Sequence, residues 1–195
     1  MNARCCTVTR LPIVLLALPA LLGGLSLPEV SSGATLESAY LAALPQDGYT
    51  KFVELSANMT YTGGLTITSA DTVCIRGNGA VVDLQGSTIL VDTKTARLDI
   101  DHCVLINGGN PDYGTGQATL NFVGSSGSVI NNTIYGNTVG VRVYSSGMYA
   151  VMVKNNVIVN NTFAGVLCQI GSEPSAVFND TWGNAGYGDY AMDCG

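Results

Sequence analysis

Charge is what this sequence lacks most. Only 11% of its 195 residues are charged, against about a quarter in an ordinary globular domain. The 8 basic residues are scattered, and no cluster of them forms. Binding to a phosphate backbone needs a positive footprint, so nucleic acid is excluded as a partner. A chain that is 47% apolar and this poor in charge is not a disordered one either, since disorder needs the opposite balance. His occurs once, at His102, and Trp once, at Trp182. A catalytic apparatus built on several histidines is therefore out of reach. Past residue 27 no apolar run approaches the roughly 20 residues of a membrane span.

The apolar run that does exist is N-terminal. Arg4 and Arg10 supply positive charge, "LPIVLLALPALLGGLSL" (11–27) the apolar stretch, and "SGA" (32–34) small residues at a cleavage point. Pro12 and Pro19 interrupt the run. The pattern reads as a cleaved export signal over 1–34, not an anchor, and predicts a secreted or cell-surface protein of bacterial style. Cys5 and Cys6 leave with that signal. Cys74, Cys103, Cys168 and Cys194 remain. An exported chain can hold disulfides, but four cysteines admit three pairings, and buried free thiols fit the sequence equally well.

What the chain has in abundance is Gly, 24 residues, and a repeat rich in Asn. Four stretches line up: "LDIDHCVLING" (98–108), "GSVINNTIYGN" (127–137), "VMVKNNVIVNN" (151–161) and "SAVFNDTWGNA" (175–185). In this alignment Ile100, Val129, Val153 and Val177 share a column, as do His102, Asn131, Asn155 and Asn179. Asn107, Gly136, Asn160 and Asn184 form a third. One step upstream, Val73 and Ile75 align with Leu98 and Ile100. A period near 24 is too short for a propeller blade. It suits one coil of a parallel β-solenoid, three short strands joined by tight turns. Val alternation points one set of side chains inward. Asn accepts the left-handed conformation of a sharp turn, and stacked Asn side chains can hydrogen-bond from coil to coil. The expected fold is all-β: a right-handed parallel β-helix of about five coils over 48–195. A short capping helix over 35–47, "TLESAYLAALP" onward, has Thr35 as N-cap and Leu36, Tyr40 and Leu44 on one face. The sequence stops at "DYAMDCG" without a cap motif, which reads as a chain truncated at its C-terminus. The alternative is a closing loop built on Trp182, Tyr187 and Tyr190.

The repeats "NNTIYGNTVG" and "NNVIVNNTFAG", with "IRGNGAVVDLQG" (75–86), resemble the right-handed parallel β-helix proteins of the pectin-lyase-like superfamily. That group includes lyases, hydrolases, epimerases and non-catalytic surface proteins, so the resemblance implies a fold more than a reaction. "DIDHC" (99–103) resembles the Ile-Asp-His element of pectate lyases, in which stacked carboxylates hold Ca²⁺ and an Arg abstracts a proton. Asp99 and Asp101 flank inward Ile100 and should point outward, with Arg76 one coil before Asp101. These three are the catalytic candidates of an enzyme reading, a polysaccharide lyase or glycoside hydrolase. Against it, no Trp precedes the element and no Arg-x-Pro-x-x-Arg, Asp-Asp or Gly-His-Gly motif occurs. His102 falls in the Asn column and reads as a turn residue. The favoured expectation is a non-catalytic, polysaccharide-binding protein with no cofactor and no metal. Its ligand-binding candidates are Asp112 and Tyr113 in the inserted loop "NGGNPDYGTGQ" (107–117), together with Arg142 and Tyr144.

Overall fold

The computed structural model describes residues 33–195 apart from 69, 111–116, 145–149, 170, 193 and 195. The expected export signal, Asp112 and Tyr113 lie outside the described residues. Helix α1 (Leu36–Ala42) opens the described chain, with the Thr35 side chain accepting a 3.0 Å hydrogen bond from the Ser38 amide. Leu36 is buried, and Tyr40 packs half-buried against the core. Leu44 does not join them. The helix stops at Ala42, and Leu44 opens strand β1 (Leu44–Gln46), 75% exposed.

Three strands then recur per coil. The first two coils are β2 (Tyr49–Glu54), β3 (Thr60–Thr62), β4 (Leu65–Ile67), then β5 (Thr72–Arg76), β6 (Val81–Asp83), β7 (Ile89–Asp92). The third and fourth are β8 (Arg97–Asp101), β9 (Val104–Ile106), β10 (Leu120–Val123), then β11 (Ser126–Ile130), β12 (Thr133–Tyr135), β13 (Val139–Tyr144). The last two are β14 (Val151–Lys154), β15 (Val157–Val159), β16 (Ala164–Gln169), then β17 (Ser175–Val177), β18 (Asp180–Trp182), β19 (Gly188–Met192). Each third strand stacks in parallel, giving one seven-stranded sheet (β1-β2-β5-β8-β11-β14-β17) and two six-stranded ones, through β3 to β18 and β4 to β19. Among the described residues only β1 runs antiparallel, against β2. With α1 it covers the first coil, whose strand edges would otherwise stay open. No helix among the described residues is long and apolar enough to cross a membrane.

The core is a set of columns. Val53, Ile75, Ile100, Val129 and Val153 face one another in register, all at most 1% exposed. The next residue in that column is Ala176, not Val177 as the alignment expected. The fifth coil, from Val153 to Ala176, is one residue shorter than the fourth, from Val129 to Val153. A one-residue slip in a strand sends each side chain to the opposite face, so Val177 points out and is exposed.

The same slip re-sorts the asparagines. In coils three to six each turn from the first to the second sheet holds two residues: His102–Cys103, Asn131–Asn132, Asn155–Asn156 and Phe178–Asn179. The first of each pair has φ between 52° and 58°, the left-handed region in which Asn strains less than most residues. The second is the ladder residue. Asn156 Oδ1 accepts from the Asn132 amide at 2.9 Å, and Asn179 Oδ1 from the Asn156 amide at 3.0 Å. Each ladder Nδ2 also donates to a backbone carbonyl one coil back, as Asn156 does to Val129 at 2.8 Å. The next turn repeats the device with Asn137, Asn161 and Asn184. The expected stack of Asn131, Asn155 and Asn179 is thus two columns, and Phe178 takes the left-handed place with Asn131 and Asn155. Asn184 likewise belongs with Asn161, while Gly183 aligns with Asn160.

Of the cysteines, Cys168 and Cys194 form a disulfide across 26 residues, and Cys103 is a buried free thiol. Burial pushes the Cys103 thiol well above its ordinary range, so it stays protonated and inert. Trp182 and Tyr190 lie in strands, not in a closing loop, and Tyr187 packs its ring on Phe163 at 4.7 Å.

Candidate functional site

Asp99 and Asp101 lie on β8, on either side of inward Ile100 as expected, but neither faces water. Asp99 is 2% exposed and Asp101 3%. Strands from three coils converge on Asp99. The Tyr49 hydroxyl of β2 donates to its Oδ2 at 2.7 Å, and Arg97 Nε and Nη2 donate to the same oxygen at 2.9 and 2.8 Å. Ser128 of β11 donates to Oδ1 at 2.7 Å. Burial first, then the hydrogen bond and charge of Asp99, push the Tyr49 phenol above its ordinary range. Both carboxylate oxygens of Asp99 already accept from charged or hydroxyl donors. A cation there would have to displace Arg97 and face its charge.

Asp101 accepts from, or is approached by, His102 Nδ1 at 3.1 Å, and His102 itself sits in the left-handed turn place. Arg76 stands opposite Asp101 in the strand register, with its guanidinium 5.2 Å from the Phe52 ring centroid. Asp99 is thus held in a clasp of Arg97, Tyr49 and Ser128, while Asp101 and Arg76 stand opposite each other in the adjoining register. Among the described residues no three His, Cys, Asp or Glu side chains are grouped to hold a metal ion.

Arg142 and Tyr144 also meet, on a different sheet. The Arg142 guanidinium lies 4.9 Å from the Tyr144 ring centroid, donates from Nε to Gln169 Oε1 at 2.7 Å and from Nη1 to Asn121 Oδ1 at 3.3 Å. Desolvation lowers its pKa. The acid–Arg clasp on the seven-stranded sheet and this Arg–Tyr pair are separate features of the surface.

A third feature escaped sequence reasoning. Between α1 and the corners of coils one to three lies a cleft of about 550 Å³, lined by Glu37, Tyr40, Thr66, Thr88, Asn110 and Gln117 among others. Asn110 and Gln117 are the two described ends of the inserted loop, and that insertion was the one signal able to point here. The other lining residues come from α1, from β4 with the glycine before it, and from the turn before β7, and no periodicity marks them. The Tyr40 hydroxyl donates to Asp71 at 2.8 Å, and burial with that contact pushes its pKa up to about 12. The cleft wall is therefore polar, mostly uncharged and rich in hydroxyl and amide groups, the type that pairs with sugar hydroxyls.

The family described as "right handed beta helix region" matches residues 46–195, and the chain belongs to that family. Comparison with curated proteins and with solved structures yields no match.

Proposed function

We propose that the protein is an exported, non-catalytic β-helix that binds polysaccharide outside the cell or at its surface. The observation that carries this reading is the cleft beside α1, where Thr66, Thr88, Asn110 and Gln117 offer neutral donors and acceptors beside a single carboxylate, Glu37. Saccharide hydroxyls are recognised by such sets. The Asp99 clasp supports the non-catalytic part, because its carboxylate is saturated by Arg97, Tyr49 and Ser128. The Cys168–Cys194 disulfide supports an oxidising compartment. After cleavage near Thr35 no membrane span remains in this reading, and N-terminal sequencing of the exported chain checks the cleavage point.

The deciding experiment is a glycan array with the mature chain and with Thr66→Ala and Gln117→Ala. The expected outcome is binding that falls about tenfold in each variant, the loss of a hydrogen bond or two to a ligand. Binding that ignores both substitutions overturns the role of the cleft. In parallel, incubation with polyuronates and millimolar Ca²⁺ should release no unsaturated products and leave the melting temperature unchanged. A rise with Ca²⁺ that Asp101→Ala abolishes would replace this reading by the lyase one.

A further inference from the structure

The middle sheet, β3-β6-β9-β12-β15-β18, has an outer face of a kind found nowhere in the sites above. Its strands are three residues long and stack without a register shift. The central residue of each points in, and the two flanking residues point out, as the burial of Val82, Leu105, Ile134 and Ile158 shows. One outward row reads Thr62, Asp83, Ile106, Tyr135, Val159, Trp182. The parallel row reads Thr60, Val81, Val104, Thr133, Val157, Asp180. In coils three to five, between Asp83 of the second coil and Asp180 of the sixth, neither row holds a formal charge, and Asp180 shares its strand with Trp182.

Two rings stand on this strip. Tyr135 and Trp182 are each 50% exposed and occupy the same row two coils apart, hence about 9.6 Å along the solenoid axis. Val159, between them in that row, is 5% exposed, so the strip is closed between the rings. The turn columns border it on both sides, with Asn155 and Asn160 exposed there to offer amide groups.

We infer that this face is a stacking platform for an extended, neutral, β-linked polysaccharide lying along the solenoid axis. Such a chain has equatorial hydroxyls at its edges and apolar C–H faces above and below. Alternate sugars present the same face once per disaccharide, and the length of an extended disaccharide matches the two-coil separation of the rings. Ring faces cover the C–H surface, and the amides at the borders meet the edge hydroxyls. Neither row holds a cation, and the carboxylate of Asp180 beside Trp182 repels an acidic chain, so the strip suits a chain without charge. A polyuronate would bring a carboxylate per sugar onto an apolar floor and leave it unpaired. The inference shares with the proposed function only the ligand class. The platform and the cleft are built from different residues on different elements.

The test is adsorption of the full chain to insoluble cellulose and chitin, with soluble polygalacturonate as the charged probe. Variants are Trp182→Ala, Tyr135→Ala, Tyr135→Phe and, for the cleft, Thr66→Ala. The expected result is saturable adsorption to an insoluble neutral glycan. Its affinity falls about tenfold for each ring removed, is kept in Tyr135→Phe and in Thr66→Ala, and is absent for polygalacturonate. Both rings are solvent-exposed, and an unchanged circular-dichroism melt separates lost binding from lost folding. Adsorption to neither solid, or adsorption that survives removal of both rings, overturns the platform. Sensitivity to Thr66→Ala but not to the rings does the same while leaving the cleft reading intact.

Discussion

Coils one to three and coils four to six of this solenoid close the same kind of turn by different means. In the later coils the second turn residue is Asn each time, and two ladders run through Asn132–Asn156–Asn179 and Asn137–Asn161–Asn184. In the third coil the corresponding places hold Cys103 and Gly108, whose amides end the ladders by donating to Asn132 Oδ1 at 2.9 Å and to Asn137 Oδ1 at 2.7 Å. In the second coil the turn lengthens: four residues, Gly77 to Ala80, replace two. A Cβ on Gly77 would collide with the His102 carbonyl oxygen, so that bend needs a residue without one. The stabilisation that the ladders give the later coils comes, in the earlier ones, from single contacts between distant residues: Tyr49 to Asp99, Tyr40 to Asp71, and Lys51 to the carbonyls of Leu41 and Ala43. Regularity and polar clefts are thus separated along the axis. The irregular half makes a concave site and the regular half a flat strip.

The largest effect should come from breaking a ladder in its middle. Asn156→Leu removes the acceptor of the Asn132 amide and the donor to the Val129 carbonyl. Leaving such groups buried and unpaired costs about 4 kcal/mol in urea unfolding. Its neighbour is the control. Asn155→Gly keeps the left-handed turn (φ 55°) and should change stability by no more than about 0.5 kcal/mol. Equal losses in the two variants would erase the division of labour within each pair.

Next in size is the tie that holds the last coils. Cys168→Ser opens a loop of 26 residues and should lower stability by about 3 kcal/mol. Cys74 is disulfide-bonded as well, so a reducing agent should lower the melting temperature of the wild-type chain further than that of the variant. The early half should respond to its clasp in turn. Asp99→Asn keeps the shape but weakens the bonds to Arg97, Tyr49 and Ser128, for about 2 kcal/mol. A loss as large as that of Asn156→Leu would show that the two halves rely on their polar contacts equally.

The smallest expected effect is at high pH, and it also belongs to the early half. The Tyr40 phenol sits at about 12 in the folded chain against 10.0 without its surroundings, and Tyr49 is shifted the same way. A folded-state pKa above the unfolded one means that the folded chain keeps its proton longer. The stabilisation is then complete below about pH 10 and is lost as the pH rises through the folded value. Thermal melts between those limits should fall with pH in the wild type and less steeply in Tyr40→Phe.

The period, the inward valines and the left-handed turn places were legible in the sequence, because a solenoid repeats its local chemistry every coil and the repeat is printed in the order of residues. The match of Val73, Ile75, Leu98 and Ile100 across coils came from that alone, as did the N-cap at Thr35 and the turn role of His102. What repeats imperfectly was not legible. The shortened fifth coil moved Val177 outward and put Phe178 where an Asn was expected, since a slip of one residue preserves composition and inverts faces. Tyr49 and Asp99 meet across 50 positions, and no local motif signals a hydroxyl arriving from two coils away. The burial that turned an outward Asp–Asp–Arg patch into a clasp, the gathering of Thr66, Asn110 and Gln117 around one cleft, and the placing of Tyr135 and Trp182 in a single row all depend on which coil lands on which. Local sequence sets the strands and turns, while the stacking of one coil on the next, a long-range packing decision, sets the surfaces.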